Sequence, residues 1–146
     1  MKKLFFSANA INLDFGILII RLIIGLIMAF YGYEKLIHFN EMAASDFWMK
    51  QVSFLGMSSK ISLGLTVFAE LFCSVLLILG LFTRISLFFL LFCMAWIFLV
   101  VFPFSILDKG DNGYKFNDAF VYFMIYLGLF FTGAGRYSLD ARLFNR

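Results

Sequence analysis

Apolar residues in this chain come in long runs rather than in the short alternations of a soluble fold. A hydrocarbon core of about 30 Å takes about 20 helical residues to cross, and four runs approach that length. They cover about Phe15–Tyr33, Ile61–Leu81, Ile85–Leu107 and Asp118–Thr132. The third is the cleanest, with no charged residue between Arg84 and Asp108; Pro103 falls near its end, where a kink or early stop is tolerated. The pattern predicts an all-α polytopic membrane protein, a single domain over residues 1–146, folded as an antiparallel bundle of four transmembrane helices.

The connections predict how those helices meet. Between the second and third runs lies only Gly80-Leu81-Phe82-Thr83-Arg84, where Gly80 can stop one helix and Thr83 can cap the next. So short a link makes the two helices antiparallel neighbours. The loop Asp108–Lys115 is a polar turn with two glycines. The first loop, about Glu34–Lys60, has room for a short helix. Met42, Phe47, Trp48, Met49, Val52, Phe54 and Leu55 give it an apolar side suited to the membrane surface. Ser58 or Ser59 would cap the second span. The N-terminus opens with Met1-Lys2-Lys3-Leu4-Phe5-Phe6, but Asn9, Asn12 and Asp14 interrupt it before a signal-type apolar core can form. It reads as a cytosolic flank.

Composition strengthens the membrane reading. The apolar fraction is 63 % and the charged fraction 14 %, against about 45–50 % and 25 % in soluble proteins. A small water-facing domain cannot hide that excess. The net charge of +3 is spread along the chain and offers no nucleic-acid face. Six Lys and Arg flank the termini and the short loop (Lys2, Lys3, Arg84, Arg136, Arg142, Arg146), against five on the other side (Lys35, Lys50, Lys60, Lys109, Lys115). The positive-inside rule then puts both termini in the cytosol. Cys73 and Cys93 lie inside apolar runs with no CxxC motif, as small core residues do.

Charges inside a bilayer cost about 2.5–3.5 kcal/mol each at its centre, so each needs an account. Arg21 is about two turns into the first span and can snorkel to the surface or reach Glu70. Glu70 lies roughly 13–16 Å from either end of its helix, too far for a glutamate to reach water. It must be protonated, paired or beside a wet cavity. Tyr31, Lys35 and His38 share one face at the outer end of the first span, with Glu34 one turn before His38; Asp118, Tyr122 and Tyr126 form a second stripe on the fourth. With Glu70 these residues can line a pocket. The bland alternative makes Glu70 a helix-to-helix hydrogen bond, Asp118 a dipole partner and the tyrosines and lysine interface anchors. Glycines 25, 32, 64, 80 and 128 read as close-packing positions.

A b-type haem between helices usually takes two axial histidines; His38 is alone. One His and two separated Cys make no zinc or copper site, and no phosphate-binding glycine loop appears. No metal, haem or covalently bound cofactor is expected.

Three stretches resemble the DoxX family of small four-helix bacterial membrane proteins. They are Arg21-Leu22-Ile23-Ile24-Gly25-Leu26 running into Tyr31-Gly32-Tyr33-Glu34-Lys35-Leu36; Glu70-Leu71 followed by Leu76–Arg84; and Gly133-Ala134-Gly135-Arg136-Tyr137-Ser138-Leu139-Asp140. The family's charged positions fall on Arg21, Lys35, Glu70, Arg84 and Asp140, and its acidic start to the last helix on Asp118. Tyr31 stands where relatives often carry His. The resemblance implies a multi-pass protein of the bacterial cytoplasmic (inner) membrane and a small subunit of a quinone-linked oxidoreductase of the thiosulfate:quinone type. Glu70 and Lys35 would then be the catalytic proton-handling pair; Arg21, Tyr31, Asp118, Tyr122 and Tyr126 would bind the ligand. The ligand implied is a quinone, the partners are lipid, a soluble or membrane redox protein and a second copy of the chain. The alternative is a non-enzymatic scaffold or small transporter that anchors a partner protein.

Overall fold

The computed structural model describes residues 12–50, 52, 54–103, 106–110 and 113–144. The flank Met1–Phe6, the Asp111–Asn112 tip of the third loop and Arg146 lie outside the described residues. The fold is mostly helical. Helix α1 is Leu13–Ile37, α2 Phe39–Ala43, α3 Asp46–Lys50 and α4 Ser59–Leu79. Helix α5 is Thr83–Val101, α6 Asp118–Thr132 and α7 Leu139–Phe144. Between α5 and α6 runs a hairpin, β1 Leu107–Gly110 against β2 Gly113–Phe116, with Leu107 opposite Phe116.

Helices α1, α4 and α5 are long and apolar enough to cross a membrane; α6 is apolar but has 15 residues. Helix α1 packs on α4, α4 on α5 and α5 on α6, whereas α6 touches α1 only lightly. The core between them holds Ile24, Met28, Leu77, Leu87 and Leu90, while Leu26, Phe30, Phe88, Phe92 and Phe131 face outward. Such an apolar exterior is stable against acyl chains and costly in water.

Three helix ends follow local chemistry, and the start of α5 does not. The Asn12 side chain accepts the Phe15 N–H (3.0 Å) at the start of α1. Asn117 does the same for Ala119 (3.0 Å) and Phe120 (3.3 Å) at the start of α6. Gly80, with φ 67°, ends α4 as expected: its N–H bonds the Leu77 carbonyl and that of Leu81 the Leu76 carbonyl. Thr83 does not cap α5. The carboxylate of Asp140, 57 residues on from Thr83, accepts the N–H groups of Phe82 (2.8 Å) and Thr83 (2.9 Å). Nor does a serine side chain cap α4: Ser58 stands at that position without a capping bond, and the Ser59 hydroxyl donates to the Ala43 carbonyl (2.7 Å).

The first loop folds back on α4. Ala43, Trp48 and Val52 cluster with Leu63 and Val67, and Phe54 lies against Trp96 of α5 at 5.1 Å between rings. Two short helices replace the one expected. Of its apolar residues, Trp48, Val52 and Phe54 are buried, and Phe47, Met49 and Leu55 are exposed. Helix α5 stops at Val101, before Pro103 and six residues short of the expected Leu107.

Glycines set the register of α1 against α4. A Cβ on Gly32 would lie 2.6 Å from the Leu71 nitrogen and 2.8 Å from the Glu70 carbonyl carbon. One on Gly25 would lie 2.6 Å from Ile78, and one on Gly80 2.7 Å from the Arg21 guanidinium. Arg21 is therefore level with the Gly80 turn, and Gly32 is level with Glu70. Gly64 and Gly128, expected at packing contacts, have nothing within 4 Å.

Candidate functional site

Helix α4 carries Ser62, Thr66, Glu70 and Ser74 at intervals of four, and all four are buried. They form one polar stripe on a helix that is otherwise apolar beyond Lys60. Around Glu70 the helix widens into a π-helical segment, Phe68–Cys73. Such segments leave i→i−4 positions unused and occur often at functional sites. The interval of four was legible in the sequence; the π segment has no local signal there.

Glu70 pairs with Lys35: Nζ lies 2.5 Å from Oε2, with side-chain exposures of 20 % for Lys35 and 4 % for Glu70. Side-chain direction explains the choice. Helical side chains lean toward the N-terminus of their own helix. Lys35, one turn above Gly32 on α1, leans back toward mid-bundle, and Glu70 on the antiparallel α4 leans outward to meet it. Arg21 leans in the same direction as Lys35, toward the N-terminus of α1, and from its place near that end this carries it away from Glu70.

Arg21, considered as a partner of Glu70, does not reach it. It is buried, with 1 % exposure, at the opposite end of the bundle. Its Nη1 donates to the Ala134 carbonyl and its Nη2 to the Tyr137 carbonyl (2.8 Å). Those bonds hold the turn after α6 against α1, where the Asp140 N–H also bonds the Gly80 carbonyl (2.8 Å). Level with the Gly80 turn, Arg21 sits shallower than a count from the start of α1 implies.

The Lys35–Glu70 pair forms the floor of a cavity of about 380 Å³ between α1, α4, α5 and α6. Tyr31 and Asp118, both expected here, line it, together with Tyr122. The Tyr31 and Tyr122 rings meet edge to face at 6.5 Å, and Lys35 Nζ is 5.8 Å from the centre of the Tyr31 ring. Tyr126 is not on the wall: it is fully buried and stacks beneath Tyr122 at 6.5 Å. His38 is not there either; its ring nitrogen lies 3.1 Å from the Glu34 carbonyl at the end of α1. Met94, Lys115 and Asn117 also line the cavity and were not singled out in the sequence. An Asn before an acidic residue and an apolar run is a helix-start signal that could have found Asn117.

The cavity has the make-up of a small-molecule site: mostly apolar and aromatic walls with a few convergent polar groups, at a size within the usual range. One end holds a cation and a carboxylate in contact, the other the polar residues Lys115 and Asp118 near the hairpin. Such a floor can hold or move a proton beside a flat apolar ligand. Cys73 and Cys93 are buried free thiols. Among the described residues no three His, Cys, Asp or Glu side chains converge as metal ligands would.

The model of the DoxX family matches residues 16–103, more than half the chain. The chain belongs to the DoxX family. The match runs from α1 to the end of α5 and includes Arg21, Lys35, Glu70 and Arg84. In this DoxX protein the other wall of the cavity, Asp118 and Tyr122, comes from beyond the matched segment. No curated protein and no solved structure matches the chain.

Proposed function

We propose that this DoxX protein is the membrane subunit of a quinone-linked oxidoreductase, in which the Lys35–Glu70 pair handles protons on a quinone-type ring. The observation that carries the reading is a buried ion pair at the base of an aromatic-walled cavity inside a membrane protein. A quinone supplies the redox chemistry, taking two electrons and two protons on reduction; the electrons come from a partner protein. Tyr31 and Tyr122 offer edges and faces to a flat ring. Lys35 would donate a proton to a ring carbonyl for each electron received, and Glu70, ionised in the pair, would take up a replacement proton from the aqueous side and pass it to Lys35.

The same reading gives the chain four crossings of the bacterial cytoplasmic membrane. Helix α6 spans roughly 22 Å, short for a full crossing. It is supported as the fourth by its ends: Asp118 lines the cavity beside Glu70, and the turn after Thr132 meets Arg21, Gly80 and Asp14 at the far end. Both termini then share the cytosolic side, and exposed Phe47, Met49 and Leu55 rest the first loop on the outer membrane surface.

Binding of a short-tailed quinone to purified protein tests the reading, compared with Glu70→Gln. Wild type should bind and Glu70→Gln should bind several-fold more weakly with an unchanged helical spectrum. If neither folded protein binds, the redox reading is lost and a scaffold that anchors a partner protein takes its place.

A further inference from the structure

Two cavities at the end of the bundle away from Glu70 belong to no part of that site. One, of about 670 Å³, is polar and lies between the α4–α5 turn and the turn after α6, with Arg84, Arg136 and Thr83 on its wall. The other, of about 740 Å³, is an apolar groove between α1 and α6, lined by Gly16, Ile20, Met124 and Gly128. They are neighbours. Thr132 lines both, and a Cβ on Gly135 of the polar cavity would sit 3.4 Å from Ile17 of the groove. We propose that together they bind one anionic phospholipid, its phosphate on Arg84 and Arg136 and an acyl chain in the α1–α6 groove.

Charge and shape support that occupant. The polar cavity holds two carboxylates, but each is turned into backbone. Asp140 accepts from Phe82 and Thr83, and Asp14 accepts the Arg136 N–H at 2.9 Å. The Arg136 side chain is 87 % exposed, with Nε 4.0 Å from Asp14, the outer limit of an ion pair. Arg84 is exposed and makes no ion pair among the described residues. Thr83 lines the cavity, and its buried hydroxyl has no hydrogen-bond partner. Two guanidiniums offer the forked N–H donors that phosphate oxygens accept. Basic pockets at the ends of membrane helices attract anionic headgroups for the same reason.

The groove argues for a chain rather than a free anion. A Cβ at Gly16 or Gly128 would meet nothing within 4 Å, so these glycines leave open space between two helices instead of closing it. An apolar gap loses its dispersion contacts unless something fills it. A neutral phospholipid would fill it equally but would set its own cation beside the arginines.

Native mass spectrometry and thermal unfolding of the full chain test this with phosphatidylglycerol, phosphatidylcholine and soluble glycerol phosphate. One phosphatidylglycerol should be retained per chain, preferred over phosphatidylcholine by about thirtyfold, as two arginines near an anionic surface allow. Arg84→Gln/Arg136→Gln should erase that preference. Gly128→Leu, with both arginines intact, should weaken phosphatidylglycerol retention by closing the groove. Equal retention of the two lipids, an undiminished preference in the double variant, or glycerol phosphate stabilising as well as the lipid would each overturn the proposal. None of these outcomes bears on quinone binding.

Discussion

At Gly32 the backbone of α4 closely approaches α1, and replacing this glycine by alanine tests the register that brings Lys35 to Glu70. The added methyl would lie 2.6 Å from the Leu71 nitrogen, 2.8 Å from the Glu70 carbonyl carbon and 2.9 Å from the Leu71 Cβ. That is about 0.8 Å short of ordinary van der Waals contact. Two of the three obstructing atoms are backbone, so no rotamer change relieves them and the helices must part. Overpacking of this kind costs about 1–3 kcal/mol, and a backbone obstacle puts it toward the upper end. Alanine returns about 0.5–1 kcal/mol of helix propensity. The clash wins, by about 1–2 kcal/mol. Gly64→Ala on α4 is the internal control, because its methyl meets nothing within 4 Å and only the propensity gain remains. Thermal unfolding in one detergent should therefore rank Gly64→Ala at or above wild type and Gly32→Ala several degrees below both. Quinone affinity should fall for Gly32→Ala alone, since Lys35 rides one turn above the disturbed contact. If the two variants unfold together at or above the wild-type temperature, the close approach at Gly32 is wrong and the register built on it fails.

Lys35→Met should destabilise the protein by about 3 kcal/mol, because it strands a buried carboxylate. Adding Glu70→Gln should recover most of that loss in the same unfolding assay; a double variant as unstable as the single would show that the pair is not the cause. Asp140→Ala removes the acceptor for two N–H groups at the start of α5 and should cost about 1–3 kcal/mol, whereas Thr83→Val should cost little, since its hydroxyl has no partner. Arg21→Lys keeps the charge but loses the fork that reaches two carbonyls. It should loosen the C-terminal turn, seen as faster proteolysis after Thr132, with quinone affinity unchanged. Cys73 and Cys93 should resist a maleimide in the folded protein and react once it is unfolded.

The long helices were readable because a membrane helix needs one long apolar run, and the fourth run, Asp118–Thr132, matches a shorter apolar helix to the residue. The cap of α5 was not, because it comes from Asp140, far along the chain. Local rules nominate a neighbour, and Thr83 was the neighbour. Tyr31, Lys35, Glu70, Asp118 and Tyr122 were legible as polar residues at helical spacing, and the fold brings them to one cavity. The partner of Glu70 was open because depth was counted from the ends of the runs. Helices α1 and α4 are staggered instead: Gly32 meets Glu70 and Arg21 meets the Gly80 turn. Glycine contacts set that stagger, and no residue count reveals it.

Arg21 and Glu70, the two buried charged residues among those described, are held differently, and the difference bears on what Glu70 is for. Arg21 spends both terminal nitrogens on carbonyls of a single turn, at the level where three chain segments converge. Removing it would unfasten a joint, and its surroundings leave little room for a ligand. Glu70 is fastened through one oxygen to a lysine that is itself one-fifth exposed, inside a widened stretch of helix, on the floor of a cavity. A residue kept only to glue helices would do better with neutral partners, since a buried ion pair is often no more stable than the apolar residues that could replace it. The desolvated pair with open space beside it, costly as a fastener, is a reasonable arrangement for a group that must exchange a proton with something that comes and goes.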